Sequence, residues 1–171
     1  MSLNRTFALL CLLASPLAAH GQTFVGTLTG GAEIPPNASM GAGSVTLVFV
    51  DPVLTISANF TGLTGNTTMA HIHCCSATVN AGVATQVPNF ATFPLGVMSG
   101  SHAQQLDLDQ ATSWNAAFIT SSGGTPQQAK ARLLERMALG EAYYNIHTST
   151  FGGGEIRAYL VLDSLFANGF E

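Results

Sequence analysis

From Thr23 onward, apolar residues recur at every second position through most of the chain, and Gly-Gly, Pro-Pro and Asp-Pro steps interrupt the pattern at short intervals. A period of two sends alternate side chains to opposite faces of an extended strand, whereas a helix needs a period of 3.6. Residues 23–28, 44–50, 53–60, 69–75, 85–90, 101–108, 141–148 and 155–162 therefore read as strands. Asp51-Pro52 sits between two runs rich in β-branched residues and reads as a hairpin turn, and Phe151-Gly152-Gly153-Gly154 joins the last two strands. The phase of the alternation places Phe49, Ile56, Phe60, Ile156 and Leu160 inward.

One segment follows a different period. Thr125-Pro126-Gln127-Gln128 supplies an N-cap threonine, a proline at the first helical position and a glutamine at the third. Ala129, Leu133, Leu134 and Met137 recur at helical spacing until Gly140, which predicts a helix over 126–139. Lys130, Arg132 and Arg136 fall on its polar side and read as the solvated face of an amphipathic helix. The expected class is all-β with one short helical insert.

No Gly/Ser-rich linker divides the chain and no internal repeat is visible, so its 171 residues are expected to form one domain. Charged residues make up only 8 % and hydrophobic ones 47 %, yet no segment after the N-terminus has the roughly 20 apolar residues of a spanning helix. Residues 1–21 carry the three zones of a secretory signal peptide: Arg5, the apolar run 7–13, and a small-residue region broken by Pro16. Removal of that peptide takes the net charge from −4 to −5, which argues against nucleic acid and anionic membrane surfaces as partners. The expected organisation is a signal peptide over 1–21, a β domain over 22–162 and a short tail over 163–171, in a protein exported to the periplasm or the extracellular space.

Loss of the signal peptide also removes Cys11 and leaves the adjacent pair Cys74 and Cys75. No Gly-x-Ser-x-Gly elbow, His-Glu-x-x-His helix or phosphate-cradling loop is present, so conventional enzyme families find no support. Glu155 and Arg157, two apart, suit structural ion pairing with each other or with a neighbouring strand.

Four clusters carry a resemblance when taken in order. They are Leu28-Thr29-Gly30-Gly31-Ala32-Glu33-Ile34-Pro35-Pro36, then Gly62-Leu63, then Ala70-His71-Ile72-His73. The fourth is Tyr144-Asn145-Ile146-His147-Thr148 with Gly154-Glu155-Ile156-Arg157. This series resembles the CHRD (chordin-type) domain in its exported, single-domain bacterial form. The double cysteine after His73 and the helical insert depart from the usual pattern. The resemblance implies an immunoglobulin-like Greek-key β-sandwich or barrel and no general enzymatic activity. A secreted structural or interaction module, binding an extracellular protein, matrix or surface, is the function it suggests.

The histidines add an alternative. On a strand, His71 and His73 leave the same face about 6–7 Å apart at their roots, and His147 lies on another strong strand. Cys75 shares that face if the strand runs on undistorted. Imidazoles with an optional thiolate suit copper or zinc, so His71, His73, His147 and Cys75 form the candidate metal set. The His-x-His strand also resembles the copper strand of Cu/Zn superoxide dismutases, whose redox chemistry is the most ambitious form of this reading. The competing reading has the same histidines hydrogen-bonding at strand ends to hold loops. Metal uptake at such a site is expected to weaken as pH falls through about 6.5, where free imidazole protonates.

Overall fold

The computed structural model describes residues 21–163, so most of the expected signal peptide and tail lies outside the described residues. Nine strands form one antiparallel sheet: β1 (Gln22–Thr29), β2 (Ala42–Val50), β3 (Val53–Thr61), β4 (Thr67–Cys74), β5 (Gly82–Val83), β6 (Gly100–Asp107), β7 (Ala142–Thr148), β8 (Ile156–Tyr159) and β9 (Val161–Leu162). Their spatial order is β5-β4-β7-β8-β1-β2-β3-β6, with β9 added beside β1. The all-β expectation with a helical insert holds, and the choice between sandwich and barrel falls on the barrel side. The sheet curls on itself as a half-barrel around a single apolar interior.

Alternation drives the curl. Val45 and Leu47 of β2, Leu54, Ile56 and Phe60 of β3, and Ile156 of β8 are all buried on the concave side. The β2–β3 hairpin turns at Asp51-Pro52, with Val50 paired to Val53. Phe49 has the inward phase expected of it but lies near the turn, where it is half-buried against the core rather than enclosed. The run 155–162 is not one strand. It pairs with β7 through Tyr159 and with β1 at Arg157 and again over Val161–Leu162, and at the break between them Leu160 drops into the core. That crossing brings two backbones together: a Cβ on Gly26 would stand 2.7 Å from the Tyr159 carbonyl oxygen, so only glycine fits.

The expected strand over 85–90 is absent, and the reason is chemical. Asn89 Oδ1 accepts the Ala70 amide and Thr85 Oγ1 accepts the Ile72 amide, so side chains take the amide half of the pairing along this part of β4, while the Ala70 and Ile72 carbonyls accept the amides of Phe90 and Ala84. Apart from a single bridge between Thr85 and Trp114, the segment is irregular. Farther along, Thr92 Oγ1 donates to the Ala103 carbonyl of β6, and Thr67 of β4 donates its amide to Val97. Residues 84–98 thus fasten β4 to β6 across the open side of the half-barrel.

Two helices cover the sheet. The short α1 (Ala116–Ser121), capped by Asn115, was not expected; α2 (Pro126–Ala138) is the amphipathic insert, capped by Thr125 as the sequence implies. Ala129, Leu133 and Met137 are its buried face. Its basic residues all have partners: Lys130 bridges Asp51 at 2.6 Å and Asp109 at 2.8 Å, Arg132 donates to the Ser121 carbonyl, and Arg136 pairs with Glu141 at 2.7 Å.

Ile56 is wholly enclosed, so Ile56→Ala is expected to cost about 2–5 kcal/mol by chemical denaturation. Phe49→Ala should cost clearly less than Phe60→Ala, because only Phe60 is fully buried.

Candidate metal centre

β4, β7 and β8 lie side by side, and their register builds a polar grid on the face turned away from the apolar interior. Ala70, Ile72 and Cys74 of β4 enter the core, which leaves Met69, His71 and His73 on the other face. On β7, Ala142, Tyr144 and Ile146 enter the core, and Tyr143, Asn145 and His147 are left outside. Met69 pairs with His147, His71 with Asn145, and His73 with Tyr143; Asn145 in turn pairs with Arg157 of β8. Outer-face residues of a solvated sheet would be exposed, but these are covered by the loops 75–99, 30–41 and 149–154. His71, His73 and His147 retain 3, 8 and 7 % of their surface.

Each imidazole is tied down at one nitrogen. His71 Nε2 donates to the Pro88 carbonyl at 2.7 Å, His73 Nδ1 to Ala81 at 2.9 Å, and His147 Nδ1 to Gly152 at 3.0 Å. A carbonyl only accepts, so each of these nitrogens carries the proton and the other ring nitrogen carries a lone pair. Those other nitrogens, His71 Nδ1, His73 Nε2 and His147 Nε2, are buried and make no hydrogen bond to the protein. The three rings converge: one nitrogen from each lies within 4.8 Å of the others, and the ring centroids form a nearly equilateral triangle of 5.7, 5.5 and 5.6 Å.

The electrostatics favour neutral rings. Burial pushes all three histidines below their ordinary value, against the opposing pull of their carbonyl partners. His73 is driven furthest, to about 4, with His147, His71 and Arg157 adding repulsion. Arg157 reaches the group through a stack. Its guanidinium lies 4.1 Å from the Tyr143 ring centre, and Tyr143 lies parallel to His73 at 5.0 Å. Arg157 is itself buried, paired with Glu33 at 2.6 Å and donating to Asn80.

Cys75 does not join the cluster. β4 ends at Cys74, so the alternation that would align Cys75 with His71 and His73 stops one residue short. Cys75 is instead bonded to Cys74 in a disulfide and packs with it against the core. His102 lies elsewhere, inside the barrel, with Nδ1 against the Tyr144 hydroxyl at 2.9 Å and its ring among Phe90 and Phe93. Glu155 and Arg157 do not pair with each other. Glu155 accepts from Ser39, Thr64, Gly65 and Thr148, while Arg157 turns to Glu33. Burial alone would raise the Glu155 carboxyl, but those four bonds hold it below the ordinary range. Gly154 allows this crowding. It adopts φ +130°, and a Cβ there would strike the Asn145 amide and the Glu33 carboxylate.

Residues 24–160 match the family model of the CHRD domain. The chain belongs to the CHRD family. No curated protein and no solved structure matches it. The motifs of this CHRD domain fall together on the polar face: the Gly30–Ala32 turn with Glu33, the two histidines of β4, and the Asn145, His147, Glu155 and Arg157 of the last hairpin. Sequence reasoning found the histidines but missed their anchors, because a backbone carbonyl has no residue-type signature. Tyr143 was also missed, although its position across from His73 follows from the register.

A histidine held neutral by burial stabilises the folded chain above its unfolded value of about 6.5, and that contribution disappears as pH falls toward the folded value. The metal-free CHRD domain should therefore lose melting temperature between pH 6.5 and about 4, the folded value of His73. His73→Gln, which cannot protonate, should flatten that slope, as thermal melts across the pH range would register. Loss attributable to Glu155 belongs at lower pH, below 4.5, because its folded value is depressed.

Proposed function

We propose that this CHRD domain is an exported metal-binding module in which His71, His73 and His147 hold one copper or zinc ion. The observation that carries the reading is the convergence of three buried rings, each anchored at one nitrogen and each with its other nitrogen free of protein partners. Metal-ligating histidines commonly donate the second ring nitrogen to a carbonyl or carboxylate, which fixes tautomer and orientation. A purely loop-holding role uses only the outer nitrogens. It leaves three buried acceptor nitrogens without protein partners, each at a cost of about 1–3 kcal/mol. Imidazole donors suit copper and zinc among the common metals.

Placement outside the cytoplasm is part of the proposal. The charge and hydropathy zones of residues 1–21 support it, as does the Cys74–Cys75 disulfide, since such bonds persist in oxidising compartments. Capture of an ion, rather than turnover of a substrate, is the proposed activity.

Titration of metal-free protein, followed by calorimetry and elemental analysis, should show one equivalent of copper or zinc per chain. His71→Ala, His73→Ala and His147→Ala should each abolish tight uptake, and His102→Gln should retain it. Uptake should also persist below pH 6.5 and fail only nearer the depressed values of the buried rings, because protonation removes the lone pair. Absence of uptake, or equal uptake by all four variants, would return the histidines to a loop-holding role.

A further inference from the structure

We infer that the ion held at this site is monovalent copper and that Met69 supplies its thioether as a fourth donor, an inference resting on the metal-site reading above. Three observations carry it. The first is position. Met69 pairs directly with His147 across β4 and β7, and it precedes His71 by two residues on β4. Directly opposed residues of antiparallel strands share a face, with Cβ atoms about 4.5–5.5 Å apart, so Met69 is flanked by two of the three nitrogen donors.

The second is the absence of a packing role. The core-facing residues of β4 are Ala70, Ile72 and Cys74, whereas Met69 is half-buried and outside the apolar cluster. A long, flexible thioether is thus left free of the apolar core on the face that carries the histidines.

The third is charge. Among the described residues, the donor cluster of histidine, cysteine and carboxylate groups here contains only the three histidines. No anionic side chain in that set offsets the charge of a bound ion, and the Arg157–Glu33 pair stacked behind Tyr143 and His73 supplies no net negative charge. The cost of moving an ion out of water scales with the square of its charge, so a divalent ion meets about four times the penalty of a monovalent one. Neutral imidazoles completed by a soft thioether match copper(I), while zinc is usually completed by imidazole, thiolate, carboxylate or water.

The test uses selenomethionine-labelled protein loaded with copper(I) under anaerobic conditions. Selenium-edge absorption spectroscopy should show a selenium–copper scattering path that disappears in Met69→Leu, a near-isosteric change, while the remaining methionines stay labelled. Competition with a chromogenic copper(I) chelator should show affinity falling about tenfold in the same variant. Zinc at an equal concentration should fail to displace copper(I) from the parent protein. Tight copper(I) binding with no selenium–copper path would remove Met69 from the site. Displacement by zinc would overturn the oxidation state. A parent protein that binds neither ion, like His71→Ala, would instead bring down the underlying metal-site reading.

Discussion

Arg157 and Glu33 form an ion pair from which water is excluded, the two side chains retaining 1 and 4 % of their surface. Removing either partner would leave a buried charge without compensation, a loss of about 3–5 kcal/mol in comparable settings. The pair joins the loop after β1 to β8 near the end of the domain, and it organises what lies around it. Asn80 in the long loop after β4 accepts from the same guanidinium. Tyr143 lies beneath it, and the Tyr143 hydroxyl in turn accepts the amide of Ala81, whose carbonyl anchors His73. The orientation of one candidate ligand is thereby coupled to an ion pair anchored two strands away.

The other two histidines depend on different loops. Pro88 belongs to the segment that spans β4 and β6, and Gly152 belongs to the turn between β7 and β8. Three carbonyls from three separate stretches of chain therefore aim three rings at one another. This division of labour places precise geometry on a sheet while leaving its fine adjustment to loops, an arrangement that keeps donors rigid without burying them in the apolar interior.

The alternation made the strands legible because each has one face in the core, and a slip of one residue would expose that whole face. Ile56, Ile156 and the helix beginning at Pro126 follow from the same reasoning. Legibility failed where side chains substitute for backbone pairing. Thr85 has the composition of a strand residue, but it and Asn89 act as side-chain hydrogen-bond acceptors for β4. It failed again at Cys75, since a period-two pattern carries no mark of where a strand stops. The histidine cluster was half legible: spacing put His71 and His73 on one face, but the approach of His147 depends on a pairing between strands separated by more than 60 residues of sequence. Met69 was read only as the first residue of a strand, because its significance comes from its cross-strand partner.

The bridge formed by residues 84–98 has a consequence for life at high local concentration. An open sheet offers two unpaired edges, each a template on which another chain can add a strand. Here the amides of Ala70 and Ile72 are already taken by Asn89 and Thr85, and Thr92 occupies the Ala103 carbonyl on the opposite edge. The same segment that steadies His71 therefore also occupies positions near both margins of the half-barrel on which an added strand would have to pair.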